Sequence, residues 1–254
     1  MADHTQISSQ PYEVQALAQD IATRLQAAIQ ARGQALLCVS GGQSPIVFFQ
    51  ALRVLPLAWP QVTVGLVDER CVPHNHDHSN AHLVRQHLLQ DLAAQARFVP
   101  LIADSGDESR GGAGQGGAGQ MPSPQLAARA ATITMRGLGS ADVLVLGMGT
   151  DGHTASLFPE AINLPVALDP TQSPACVAIE LAHPPANAPH ARVSQNLSML
   201  LTARHIVLPV TGADKGAVLD RALLSPSLAL PISHVLHQSR CPVAVWREFA
   251  KDSA

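Results

Sequence analysis

The stretch 146–159, reading LGMGTDGHTASLFP, carries the densest chemistry in the chain. Gly147, Gly149 and Gly152 fall within six residues and impose an unusual backbone path. Gly149 and Gly152 could also let the backbone approach a ligand closely. His153 follows at once, where an imidazole, titrating near neutrality, has the character of a general base. Asp151, two residues earlier, is spaced to set the tautomer of that imidazole or to bind substrate. The competing reading is a histidine that caps or packs against a helix beginning there. Because the chain has twelve histidines, only independent polar clusters can decide between them.

Three other clusters supply that test. Ser40, Gly41, Gly42 and Ser44, in SGGQSP at 40–45, precede a helix-compatible stretch. Free amides there and the positive end of the helix dipole would face an anion, although an ordinary tight turn with serine caps fits the same residues. Asp68, Glu69 and Arg70 end another apolar run, with Asn80 beyond a histidine-rich loop. Arg70 could clamp phosphate or steady an oxyanion, and Asp68 could orient hydroxyls or a catalytic partner; a surface salt bridge with a serine cap fits too. Arg192 opens an extended segment, and Lys215 follows TGAD at 211–214 as a further phosphate contact or a solvated side chain. Polar or glycine-bearing clusters after several strands are hard to explain as unrelated caps.

The elements that must position them are legible as periodicity. Val14, Leu17, Ala18, Ile21, Leu25, Ala28 and Ile29 recur at three- and four-residue steps, predicting an amphipathic helix that Gly33 stops. Strand-length apolar runs at 35–39, 62–67, 97–102, 142–146, 176–179, 205–210 and 243–246 alternate with helix-compatible stretches at 45–55, 79–92, 124–138 and 214–224. That alternation predicts a doubly wound α/β fold: one domain over 1–254, a mainly parallel sheet with helices on both faces, and ligands bound beyond the carboxyl ends of the strands.

Composition narrows the partners. Of 254 residues, 46% are apolar and 14% charged, with a formal net charge of −3. A sizeable core is affordable, and no electrostatic footprint for nucleic acid or membrane is expected. The amino terminus shows no basic start followed by an apolar core, and no window approaches 18 uninterrupted apolar residues, so a cytoplasmic protein is expected; monomer and homodimer both stay open. Cys38, Cys71, Cys176 and Cys241 lack C-x-x-C spacing and read as reduced residues, mostly of the core. Residues 104–124, DSGDESRGGAGQGGAGQMPSP, read as a flexible surface loop because they offer almost nothing to bury. They lack phosphate-loop spacing. The loop PHNHDH at 73–78 places His74, His76, His78 and Asp77 close together, which invites zinc. Without a second spaced ligand motif the expectation is no functional metal and no cofactor, with adventitious binding the alternative.

These motifs together resemble the 6-phosphogluconolactonase family, within the group that includes glucosamine-6-phosphate deaminases and ribose-5-phosphate isomerases. The matching pieces span most of the chain: SGGQSP at 40–45, VDERCVP at 67–73 with SN at 79–80, LGMGTDGHTASLFP at 146–159, ARV at 191–193 and GADK at 212–215. The resemblance implies hydrolysis of 6-phospho-D-glucono-1,5-lactone to 6-phospho-D-gluconate in the oxidative pentose phosphate pathway, without metal or organic cofactor, and His153 as the base. The sister deaminases are expected to continue the D-G-H core with A-F-N-E-P and to carry tyrosine after the Asp-Glu pair, where this chain has T-A-S-L-F-P and Arg70. Where the family pattern reads P-R-[IV]-T, this chain has Ala191, Arg192, Val193 and Ser194. Two other classes remain on these residues: an amino-sugar-phosphate isomerase or deaminase with a second acid/base near Asp68, and a sugar-phosphate sensor in which His153 is dispensable.

Overall fold

The computed structural model describes residues 7–103, 121–183 and 189–248. Among the described residues there are ten strands: β1 (Ile7–Pro11), β2 (Ala35–Val39), β3 (Val62–Leu66), β4 (Asp68–Arg70), β5 (Arg97–Phe98), β6 (Val143–Val145), β7 (Cys176–Ile179), β8 (Arg192–Gln195), β9 (Ile206–Val210) and β10 (Val243–Arg247). The helices are α1 (Val14–Arg32), α2 (Ile46–Arg53), α3 (Asn80–His87), α4 (Pro124–Leu138), α5 (Leu164–Ala167), α6 (Leu197–Leu200), α7 (Ala213–Ala222) and α8 (Ile232–Leu236). Seven strands form a parallel sheet in the order β1-β10-β9-β6-β2-β3-β5. All five residues of β2 are buried, as a central parallel strand covered on both faces must be.

The long helix forms as its spacing predicts. Leu17, Ala18, Ile21, Ala22, Leu25, Ala28 and Ile29 are its buried side, and Gly33 ends it at φ 75°, its amide donating to the Ile29 carbonyl at 2.7 Å. Only glycine takes that left-handed turn without a Cβ penalty.

The sequence placed 176–179 in the main sheet, and the structure does not. β7 pairs antiparallel with β8, and β8 with β4, making a separate three-stranded sheet. Gln195 links the two sheets: its amide donates to the Val67 carbonyl at 2.8 Å and its side-chain amide to Leu66 at 3.0 Å. β4 consists of the polar triplet Asp-Glu-Arg, which carries no strand signal of its own, and only pairing with β8 makes it a strand. β5 is two residues rather than the expected six, since Pro100 cannot continue a ladder. Ser-rich β1, ending in Pro11, shows no apolar run, and it lies at a sheet edge where proline is tolerated. Most of the glycine-rich stretch, 104–120, lies outside the described residues. Among the described residues no helix is long and apolar enough to cross a membrane.

Strand order decides where the clusters meet. β9, β6, β2 and β3 are neighbours, so the loops after them open side by side. From β2 the chain moves through α2 to β3 on one side, while β6 lies on the other and leads on towards β9. The junction of β2 and β6 is therefore a topological switch point, where the crevice of an open α/β sheet forms.

Candidate active site

A cleft of about 410 Å³ occupies that crevice. Every candidate from the sequence lines it except Gly152: His153, Asp151, Ser40, Gly41, Gly42, Ser44, Asp68, Arg70, Asn80, Gly149, Arg192 and Lys215. Gly152 shapes the loop from behind. It has φ +80°, and a Cβ there would stand 2.6 Å from Leu230 Cδ2, so both backbone and space require glycine.

His153 is held as a base needs to be. No helix begins there; residues 147–163 are turns and isolated bridges before α5, which removes the capping reading. Its Nδ1 lies 2.6 Å from Asp151 Oδ1, and the same oxygen accepts the His153 amide at 3.1 Å. The pairing assigns the Nδ1 proton and leaves the Nε2 lone pair for chemistry. Burial alone would raise the Asp151 carboxyl, but the hydrogen bond and charge of His153 outweigh it and hold the group below the usual carboxylate range. Gly149 explains itself here: a Cβ on it would lie 2.3 Å from both Nδ1 and Cε1 of His153 and 2.5 Å from Asp151 Oδ1. The pair packs directly over that glycine.

The floor of the cleft is cationic. Arg70 and Arg192 face each other as partners in the β4–β8 ladder, and like charges directly opposite are destabilising in a sheet. Arg192 is buried, and that burial, followed by the charge of Arg70, lowers its pKa against the opposing pull of Asp68 and Glu69. Arg70 donates to the His78 carbonyl at 2.7 Å, while its buried Nε has no partner among the described residues. Lys215, in the first turn of α7, reaches Ser44 Oγ at 2.9 Å, bridging the loops after β9 and β2. Its pKa is lowered by burial. The amides of Gly41, Gly42, Gln43 and Ser44 donate to nothing among the described residues. Ser40 differs from them: its amide donates to the Val145 carbonyl and its hydroxyl oxygen accepts the Gly147 amide. It joins β2 to β6 and has only its hydroxyl proton to offer.

The carboxylates divide their work. Asp68 faces the cleft and accepts the Ser156 hydroxyl at 2.6 Å. Glu69, 1% exposed, turns away and accepts the amides of Arg70, Asn80 and Ala81 and the Ser79 hydroxyl. Burial raises its pKa, and those donors oppose the rise. Glu69 thus caps α3 and fixes Asn80, whose Nδ2 donates to the Asp68 carbonyl at 2.9 Å. A Cβ on Gly41 would lie 1.9 Å from Asn80 Oδ1, so this glycine makes room for Asn80.

Sequence reasoning gave no role to Phe158, although it lies in the central motif. Its ring centroid is 4.4 Å from that of His153 and 5.1 Å from the Arg192 guanidinium carbon, so one ring supports both base and cation. Ser156, buried beneath Asp68, and Tyr12 at the cleft wall were also passed over. Three amides of the 147–152 loop are already engaged. Gly147, Gly149 and Gly152 donate to Ser40, His153 and Gly149.

Fold and site together define an α/β protein whose cleft sets Arg70, Arg192 and Lys215 beside a histidine paired with an aspartate. The chain belongs to the glucosamine-6-phosphate isomerase/6-phosphogluconolactonase family, whose model matches residues 9–246. It is 44% identical to a 6-phosphogluconolactonase of Pseudomonas putida over 222 residues, 87% of this chain and 84% of that one. It is 41% identical to a 6-phosphogluconolactonase of Rhizobium meliloti, covering 91% and 92%. The crystal structure of a 6-phosphogluconolactonase from Shewanella baltica superposes with a TM-score of 0.82 at 37% identity, covering 98% of this chain and all of the other.

Proposed function

We propose that this cleft hydrolyses 6-phospho-D-glucono-1,5-lactone to 6-phospho-D-gluconate, the lactonase step of the oxidative pentose phosphate pathway, with His153 as general base. The observation that carries the reading is the His153–Asp151 pair at 2.6 Å, opening onto a floor with Arg70, Arg192 and Lys215. The relatives named above act on a phosphorylated lactone, and the cationic floor suits a phosphate.

The phosphate binds across the free amides of 41–44 with Lys215, and the arginines complete the charge balance. Tethered this way, the lactone carbonyl is held near Nε2 of His153, and positioning alone removes part of the barrier. Nε2 takes a proton from water as its oxygen bonds to C1, and the C1–ring-oxygen bond then breaks as the imidazolium returns that proton to the leaving alkoxide. Charge on the carbonyl oxygen is met by Arg70 or by a loop amide other than those of Gly147, Gly149 and Gly152. Asp151, ionised throughout, supports the imidazolium.

The test generates the lactone in situ, couples the product to a dehydrogenase and subtracts spontaneous hydrolysis. His153→Ala is expected to lower kcat about 10²- to 10⁴-fold while still binding 6-phosphogluconate by calorimetry. Absence of turnover in folded wild type overturns the reading, and ammonia release from glucosamine 6-phosphate would then mark a deaminase. Product binding without turnover of either substrate would mark a sensor.

A further inference from the structure

The histidine-rich loop meets a partner that its own sequence does not contain. His76 and His78 lie in the turn between β4 and α3, and His190 lies two residues before Arg192 at the start of β8. Their coordinating nitrogens all fall within 4.8 Å of one another. The ring centroids stand 5.2 Å (His76–His78), 5.0 Å (His76–His190) and 5.0 Å (His78–His190) apart, with interplanar angles of 67°, 80° and 65°. The three rings thus close a triangle with a nitrogen of each near the other two. His190 Nε2 already lies 2.9 Å from His78 Nδ1, about 0.4 Å inside the roughly 3.3 Å that two ligands of one tetrahedral zinc ion keep with Zn–N bonds of about 2.0–2.1 Å, so a small opening of the pair admits the ion. The cluster is partly exposed, so an ion can enter and keep water as a fourth ligand.

We infer that His76, His78 and His190 form a binding site for a nitrogen-preferring divalent transition metal of the zinc class, next in the chain and by hydrogen bond to the cleft-lining Arg192 and Arg70 and separate from His153. The set differs from the one the loop sequence suggests. His74 turns its Nε2 to the Ile102 carbonyl at 2.7 Å, and Asp77 is not part of the cluster. Imidazole donors without carboxylate suit zinc, cobalt, nickel and copper better than magnesium or calcium. A bound ion would tie the β4–α3 turn to the strand carrying Arg192, and Arg70 already holds the His78 carbonyl. The site would therefore brace both arginines of the cleft floor and take no part in the chemistry. The inference stands independently of the lactonase reading.

The test uses the full chain without an affinity tag, stripped by chelator and titrated with Co²⁺ and then Zn²⁺ alone. Expected are one equivalent bound, the visible bands of four-coordinate cobalt with nitrogen ligands, and a thermal midpoint about 5 °C higher or more at a hundredfold excess of Zn²⁺ over Kd. His190→Ala and, separately, His76→Ala should weaken binding tenfold or more and abolish the thermal shift, each checked for native circular dichroism. His74→Ala and His153→Ala should retain both. Full binding in folded His190→Ala and His76→Ala overturns the site, as does loss of binding in His153→Ala, which would place the ion at the catalytic histidine. Absence of stoichiometric cobalt in the wild type also overturns it.

Discussion

Replacing Gly149 by alanine tests the central geometry more sharply than removing the base. The added methyl would lie 2.3 Å from Nδ1 and Cε1 of His153 and 2.5 Å from Asp151 Oδ1, whereas ordinary contacts begin at 3.4 Å. The ring must therefore retreat by about 1.1 Å, the difference between those two distances. On one side the Asp151 hydrogen bond at 2.6 Å resists this, and the Phe158 ring at 4.4 Å resists it as well. Gly149 is not among the positive-φ glycines, so alanine meets no backbone strain, and reduced freedom in the unfolded chain offsets part of the crowding by roughly 0.4–1 kcal/mol. Stability should barely change. Misplacing a catalytic group by about 1 Å costs on the order of 10²-fold in rate. The expected result is kcat lower by about 10²-fold, KM within threefold and native circular dichroism, measured in the coupled lactone assay with spontaneous hydrolysis subtracted. A folded Gly149→Ala enzyme with kcat within threefold of wild type would refute the claim that the His153–Asp151 pair, seated on Gly149, sets the rate.

The cationic floor and the thiols yield two further expectations. Burial lowers the Lys215 pKa, so as pH rises its charge is lost earlier than that of an ordinary lysine, whose pKa is about 10.4. Calorimetric affinity for 6-phosphogluconate should begin to fall earlier on the alkaline side than an ordinary lysine would allow, and Lys215→Arg, which stays charged, should remove that fall. An unchanged alkaline profile in Lys215→Arg would show that the lysine does not contact the phosphate. Burial pushes Cys38 and Cys176 up to about 12 and Cys71 and Cys241 up to about 11. The thiolate is the reactive form, so iodoacetamide at pH 7.5 should leave the folded protein unlabelled by mass spectrometry and fully active. Rapid labelling of Cys71 under those conditions would contradict its surroundings.

The candidate groups were legible because they are local. Glycines that shape a loop, the histidine they present and the aspartate two residues away lie in one short stretch, and their spacing allowed the pairing found at 2.6 Å beside the alternative that Asp151 binds substrate. The long helix and most core strands were legible for a similar reason, since amphipathic and apolar periodicity is written residue by residue. The cleft's existence followed from the alternation of strands and helices, which obliges several loops to open at one end of a parallel sheet.

What the sequence left open depends on contacts far apart in the chain. Asp-Glu-Arg became a strand only by pairing with Arg192–Gln195, and the same pairing set two arginines face to face and drew Cys176–Ile179 out of the main sheet. Phe158 gained its role by lying between His153 and Arg192 in space, and the loop histidines gained a third partner in His190 more than a hundred positions away. The amides of Gly147, Gly149 and Gly152 are taken by the Ser40 hydroxyl, the His153 carbonyl and the Gly149 carbonyl. Local spacing determines which groups a segment can present. Which of them remain available, and against which neighbours, is decided only when buried polar groups find partners in the folded chain.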